Sequence, residues 1–542
     1  MSQIENLKSQ AANWLAQDPD QETRAELEQL ITSDDLEGLQ ERFGSRLSFG
    51  TAGLRGELGA GPNRMNRVLV AQAASGVGNY LKANFDAPSC VIGFDARKNS
   101  KVFAKDSAEL MAAMGIKVYL FDELAATPLV AFAVRELGCS AGIMVTASHN
   151  PPADNGYKVY DHTGSQIISP VDAEIAHQIN LVAASKLVPE LARSTEYSSV
   201  PESVRQSYIQ SVSELLGSSS NRDQIKIVYS AMHGVGASFI DEIFELSGLN
   251  PVHHVAAQKD PDGAFPTVKF PNPEEPGAMD LALETAVNLA ADLVLVNDPD
   301  ADRLAVAYRN QEQQYTQLTG DELGVLLGEE IAGRASAAGI KGTLACSMVS
   351  GSMLEKVAEF YGLDFSQTLT GFKWISRVPN LIFGYEEALG YCVDWKHVRD
   401  KDGLSAALLV ANIASSLAKE GKTLGDQLEH LYRRYGYYST SQISIRVSEV
   451  SKIKQLMDRL RTSPPKEIAG QAVIQTDLSQ GSNGLPPTDA IRFDLANQGR
   501  VIVRPSGTEP KLKCYLQTVG SNHEQAKLLM ADLRAHMQTI LI

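Results

Sequence analysis

The chain has 542 residues, enough for about three or four domains. Its 44% hydrophobic and 21% charged residues are ordinary for a globular protein, and a net charge of −16 with an isoelectric point near 5.2 argues against a nucleic-acid partner. Against that background field, an anionic substrate would need its own local cluster of Arg and Lys.

Five cysteines (Cys90, Cys139, Cys346, Cys392 and Cys514) are scattered and never in C-x-x-C spacing. They argue against a disulfide framework or zinc site and fit a reducing cytoplasm. The start Met1-Ser2-Gln3-Ile4-Glu5-Asn6 has neither the basic start nor the apolar core of a signal peptide. The longest apolar helical stretch, near Leu404–Ile413, is too short to span a bilayer, so no membrane partner is expected.

Residues 1–43 read as a polar helical N-terminal extension, with Leu7, Ala11, Trp14 and Leu15 at helical spacing. Phe49-Gly50-Thr51-Ala52-Gly53-Leu54-Arg55-Gly56 follows, whose glycines permit close approach of backbone to a ligand and whose Arg55 could meet a phosphate. From about residue 66 to 180, strands (Cys90–Asp95, Lys117–Phe121) alternate with helices (Lys101–Met114, Thr127–Leu137), which implies βαβ units.

Ala141–Thr146 reads as a further buried strand leading into Thr146-Ala147-Ser148-His149-Asn150-Pro151-Pro152-Ala153. The two prolines stop regular structure, so Ser148 is expected on a stiff loop past the carboxyl end of a strand, where open α/β sheets place ligand sites. Ser148 could be a helix cap, a hydrolase nucleophile with His149 as its base, or a phosphoryl carrier. The hydrolase reading lacks a G-x-S-x-G elbow, and adjacent side chains rarely face each other. Asp154-Asn155-Gly156-Tyr157-Lys158 reads as a turn that brings Lys158 to the same loop.

The stretch from about 185 to 205 reads as a helical connection to a second unit. There, strand Ile225–Tyr229 ends in the turn Met232–Gly236, and residues 259–277 form a long loop. A buried strand over Ala290–Asn297 ends at Asp298-Pro299-Asp300-Ala301-Asp302-Arg303. In an extended segment, alternate side chains point the same way, and a divalent cation would offset the repulsion among these carboxylates. An EF-hand is excluded, because Arg303 and Arg309 stand where its glycine and final glutamate belong.

A third unit opens near Thr319-Gly320-Asp321, with a strand over Thr343–Val349 and a helix near Leu354. Two loops follow, Thr370-Gly371-Phe372-Lys373-Trp374-Ile375 with a cation and an aromatic edge, and Gly384–Tyr391 with carboxylates suited to vicinal hydroxyls. His397–Gly403 then precedes an apolar helix. From about 436 the pattern alternates in strand fashion, with Asn497-Gln498-Gly499 as a hairpin turn leading into Arg504-Pro505-Ser506-Gly507-Thr508-Glu509-Pro510-Lys511. An Arg fork, hydroxyls and a Gly-permitted backbone suit a phosphate dianion.

FGTAGLRG, TASHNPP, DPDADR, GYEEAL and RPSGTEPK, in this order, resemble the α-D-phosphohexomutases (phosphoglucomutase and phosphomannomutase) over nearly the whole chain after residue 43. The resemblance implies an α/β fold of four domains around a central cleft, the first three similar mixed α/β units and the fourth a smaller antiparallel sheet with helices. The expected domains are 44–205, 206–318, 319–435 and 436–542. It implies that Ser148 is a phosphoserine and that Asp298, Asp300 and Asp302 hold Mg2+ together with a Ser148 phosphate oxygen. Glu386 would contact sugar hydroxyls, with Arg55, Thr370, Gly371 and Lys373 also binding substrate. Arg504, Ser506, Gly507 and Thr508 would bind the distal phosphate. Lys158 and Lys401 match positions for proton transfer or phosphoryl stabilisation, and Arg303 would neutralise charge on the transferring group.

The implied activity is interconversion of hexose 1-phosphate and hexose 6-phosphate, glucose before mannose, through a hexose 1,6-bisphosphate. Ala388 departs from the Ser of many family members and Gly390 from the His of some phosphomannomutases, and EEA with TGFKWI looks more like the branch that includes phosphoglucomutases, phosphopentomutases and glucose-1,6-bisphosphate synthases, which leaves the sugar open. A metal-dependent sugar phosphatase and a sugar-phosphate sensor are the readings from other classes.

Overall fold

A computed structural model describes residues 3–217, 225–447, 450–482, 484–506 and 511–541. Strand Ser89–Phe94, buried from Cys90 onward, is a central strand of the first sheet. It pairs parallel with Lys117–Leu120 on one side and Ala141–Val145 on the other. The buried run Ala141-Gly142-Ile143-Met144-Val145 is what a strand covered on both faces requires. Asp154–Asp161 then returns antiparallel to Ala141–Val145, and Leu54–Glu57 adds antiparallel to its far edge.

The second sheet repeats this plan. Ile227–Ser230 lies parallel between His253–His254 and Leu293–Asn297, and Leu304–Arg309 returns antiparallel beside the latter. In the third, Thr343–Ser347 lies parallel between Asp364–Thr368 and Leu381–Glu386. The last sheet is wholly antiparallel, in the order Tyr437–Arg446, Lys511–Gly520, Arg500–Pro505, Ile491–Leu495, Gln471–Asp477, Glu467–Ile468. Helices Val450–Thr462 and His523–Leu541 accompany it, and Met457, Leu460, Met530, Leu533 and Met537 join its core.

The chain forms two units, Met1–Gln317 with Gly390–Ser416, and Leu318–Leu389 with Leu417–Ile542. The N-terminal helices Gln3–Leu15, Gln21–Thr32 and Leu36–Phe43 are not a loose appendage. Leu7, Trp14, Leu27, Leu39 and Phe43 belong to the same core as Val68, Leu69 and Ile92. All five cysteines are free and buried. Among the described residues no helix is long and apolar enough to cross a membrane.

Several local expectations are corrected. Asp154–Lys158 is not a turn but the start of strand Asp154–Asp161; the reversal falls earlier, and Gly156 is clasped between two strands. The connection from 185 to 205 is mostly irregular, with a short helix at Val188–Glu190 and an edge strand, Ser198–Ser199, parallel to Lys117–Leu120. The expected loop at 370–375 contains a helical turn, Phe372–Ile375, and the one at 384–391 is mainly the ends of strands Leu381–Glu386 and Gly390–Cys392.

A Cβ at Gly156 would lie 2.6 Å from the Thr146 carbonyl oxygen and 2.9 Å from that of Leu54. Both are backbone atoms of paired strands and cannot swing away. Gly156→Ala should therefore destabilise the first unit by about 1–3 kcal/mol, seen as a lower denaturant midpoint.

Candidate active site

Thr146 ends its strand by donating its hydroxyl to Asp95 Oδ2 at 2.6 Å, while its oxygen accepts the Ser148 backbone N–H at 2.8 Å. Ser148 lies in the left-handed region (φ 52°) and is buried. For a non-glycine residue this conformation costs roughly 1–2 kcal/mol. Its hydroxyl donates to Asp298 Oδ2 at 2.8 Å and lies 3.1 Å from His149 Nδ1. The expectation that adjacent side chains would not meet therefore fails, because the left-handed turn swings both toward one side. Burial, reinforced by Arg303 and Arg55, holds the His149 imidazole well below its usual range and so neutral.

Asp298, Asp300 and Asp302 follow strand Leu293–Asn297, are buried, and bring carboxylate oxygens within 4.8 Å of one another. The expected cause, alternation along an extended segment, is wrong. Ala301 is left-handed (φ 57°), and the segment is a turn closed by the Arg303 N–H to Asp298 Oδ1 at 2.9 Å and by Asn297 Nδ2 to the Arg303 carbonyl at 2.5 Å.

Lys158 Nζ reaches Asp300 at 2.7 Å and Asp302 at 3.1 Å; Lys401 Nζ reaches Asp302 at 3.2 Å. Burial alone would neutralise these groups. The pairing reverses it, raising the Lys158 ammonium and lowering the Asp302 carboxyl, to which Lys401 and Arg303 also contribute. Asp298 is pushed well up, first by burial and then by Asp300 and Asp302. Three carboxylates facing two ammonium groups leave room for a cation. Among the described residues, buried Asp300 Oδ1 and Asp302 Oδ1 meet no hydrogen-bond donor, and hard carboxylate oxygens are the ligands that Mg2+ selects. The residues present fit such an ion.

Arg303 sits 3.4 Å from Glu274 and 4.0 Å from Asp302. Arg55 donates to Asn150 Oδ1 at 3.2 Å, so the glycine-rich segment does meet the serine loop. Sequence reasoning missed several groups here. Thr127 donates to Asp300 Oδ2 at 2.6 Å, and Asp400, beside Lys401, accepts from Tyr160 and Gln166 at 2.9 Å each. Arg97 lies beneath the serine loop. The signal for Arg97 was available, since Asp95-Ala96-Arg97 follows the carboxyl end of a predicted strand.

In the second unit, Glu386 Oε1 accepts the Gly371 N–H at 2.6 Å, with Gly371 at φ 115°. Gly371 follows Thr370 and precedes the helical turn that carries Lys373. Glu387 accepts from Ser347 Oγ at 3.0 Å and Ser350 Oγ at 2.9 Å. Arg504 lies near the end of strand Arg500–Pro505 opposite Lys513. The Ser506 N–H donates to the Lys511 carbonyl at 2.8 Å, while Gly507 and Thr508 lie outside the described residues.

Burial, then Glu386 and Asp321, push Glu387 from its ordinary 4.5 up to about 7. The folded state thus holds a proton that the unfolded chain releases near 4.5. Stability from this group is complete below that value and declines as pH rises toward 7. Glu387→Gln should remove a slope worth on the order of 1–3 kcal/mol across this window, measurable as denaturant midpoints between pH 4.5 and 8.

Four family models match the chain in order: phosphoglucomutase/phosphomannomutase alpha/beta/alpha domain I over 46–185, domain II over 206–311, domain III over 319–435 and the C-terminal domain over 443–536. Its relatives include a probable phosphomannomutase of Haemophilus influenzae, 46% identical and covering 88% of this chain and 98% of that one. A Homo sapiens phosphopentomutase is 37% identical, covering 97% and 94% respectively. A putative phosphomannomutase from Thermus thermophilus shares the fold at a TM-score of 0.69 and 23% identity, covering 91% of this chain and 99% of that one. This chain belongs to the phosphoglucomutase/phosphomannomutase family and is an isomerase of the phosphomutase class.

Proposed function

We propose that the protein interconverts hexose 1-phosphate and hexose 6-phosphate, with glucose the preferred sugar and mannose the next, by way of a phosphoryl group carried on Ser148 and a hexose 1,6-bisphosphate intermediate. The observation that carries this reading is the Ser148 hydroxyl, 2.8 Å from a carboxylate of the buried aspartate cluster. A hydrolytic serine has no use for such a cluster, whereas a transferring phosphoryl group requires cations gathered at one point. A pentose phosphate is the second reading, supported by the human phosphopentomutase relative at 37% identity.

In the forward half-reaction the bond between phosphorus and Ser148 Oγ breaks as a sugar hydroxyl oxygen bonds to phosphorus. That hydroxyl's proton is lost and Ser148 Oγ gains one. His149 Nδ1 stands 3.1 Å from Oγ, within hydrogen-bonding reach of the hydroxyl so formed. The bisphosphate turns over and the same exchange runs in reverse with its other phosphate. Lys158 stays an ammonium and, with Lys401 and Arg303, offsets charge on the equatorial oxygens. Asp298, Asp300 and Asp302 would hold Mg2+ with a Ser148 phosphate oxygen, and the ion would supply further charge neutralisation there. Glu386, Thr370, Gly371, Lys373 and Arg55 are assigned to the sugar phosphate. Arg504, Ser506, Gly507 and Thr508 are assigned to the phosphate that is not reacting; this clamp would serve either end of the sugar.

Ser148→Ala should lose covalent phosphate by mass spectrometry and lower mutase turnover by about 10³-fold or more, while sugar-phosphate binding persists. Retained turnover with phosphate on another residue would remove Ser148 from the reaction. Asp300→Asn should weaken Mg2+ binding by about tenfold or more and slow turnover in parallel, as followed by calorimetric titration and initial rates. A sugar phosphatase is recognised in the same assays by net release of inorganic phosphate.

A further inference from the structure

Arg97 has no part in the reaction as proposed, yet its side chain is only 1% exposed. Its guanidinium spans the carbonyls of the serine loop. Nη2 donates to the Ser148 and Asn150 oxygens at 2.6 Å each, and Nη1 to those of Pro151 and Asp154 at 2.8 and 3.1 Å. Nε stands 3.5 Å from Asp95 Oδ2, and Asp95 also accepts from Thr146, whose oxygen receives the Ser148 N–H. Asp95 thus ties Arg97 to Thr146 and, through Thr146, to the Ser148 N–H.

The far face of the fork is covered by the 259–277 loop. Phe265 lies with its ring centre 4.8 Å from Arg97 Cζ, and Gly263 sits so close that a Cβ there would be 2.4 Å from the Ala96 oxygen. Four backbone acceptors crowded between Ser148 and Asp154 repel one another unless one planar donor group serves them all. Arg has five N–H donors in a fixed fork; Lys has three at a single point.

We propose that Arg97 is the positioning residue that keeps Ser148 in its left-handed conformation with Oγ directed at the aspartate cluster, and so sets the line of phosphoryl transfer. It acts through the backbone of the loop and touches neither sugar nor phosphorus. The inference rests on the phosphoserine reading above.

The test compares full-length wild type, Arg97→Lys and Arg97→Ala in glucose 1-phosphate turnover with Mg2+ present. Misplacing a reacting atom by an ångström costs about a hundredfold, so kcat should fall about 10²–10³-fold in Arg97→Ala and less in Arg97→Lys. KM should stay within about threefold, because the assigned sugar contacts are untouched. Added guanidinium should recover about tenfold or more of the Arg97→Ala loss and none of the Ser148→Ala loss. If Arg97→Ala does not fold, Phe265→Leu should show the same loss confined to kcat, at smaller size. Arg97→Lys with wild-type kcat, a rise in KM alone, or a folded Arg97→Ala that guanidinium does not rescue would overturn the assignment, as would a lower melting temperature with normal kcat. A wild-type chain that interconverts no sugar phosphate overturns the phosphoserine reading and this inference together, and is told apart by wild type and variants being equally inactive.

Discussion

Burial of three carboxylates within a few ångströms of each other is the constraint on which the first unit depends. Each charge taken from water costs several kcal/mol, and like charges add to it. The molecule meets this with ammonium groups from segments far apart in sequence. Lys158 comes from a strand of the first sheet, Lys401 from the segment after residue 390, and the aspartates from the turn following a strand of the second. The cluster therefore pins three stretches together, and Gly390–Ser416 accordingly groups with Met1–Gln317 rather than with its neighbours in sequence. Gly403 is drawn in so closely that a Cβ would lie 2.3 Å from the Arg303 oxygen.

Much of this was legible in the sequence, because the strongest signals were local. Two prolines after a buried strand placed Ser148 on a strand end, and alternate aspartates after another marked the acidic turn. The order of five motifs identified the family. What local pattern could not give was direction. Asp154-Asn155-Gly156 has turn composition, yet sheet pairing on both sides makes it a strand. The aspartates converge through a left-handed alanine, and Ser148 meets His149 through a left-handed serine; neither residue type announces such a backbone. Arg97 was within reach, at the carboxyl end of a predicted strand, but its bonds run to main-chain carbonyls of the serine loop, so the pattern shows its place and not its task.

The first three sheets share more than a strand order. In each, a strand on one flank of the central one ends at a functional turn. Ala141–Val145 leads to Ser148, Leu293–Asn297 to Asp298, and Leu381–Glu386 ends on Glu386 itself. The same topological position holds the proposed nucleophile, the acidic turn and the carboxylate assigned to the sugar. This is the carboxyl-edge placement general to open α/β sheets, used three times in one chain.

That repetition bears on how such a chain diverges. The strands are locked by burial and register, whereas the polar side chains of the turns point their chemistry at one another. Scaffold and chemistry are thus close to separate variables under selection. A duplicated unit can lose one chemical task and gain another by changing a few turn residues, without renegotiating its sheet. On the proposed roles, substrate preference could then change on the third turn without disturbing the serine and acidic turns. The Ala388 and Gly390 seen here lie on that third turn.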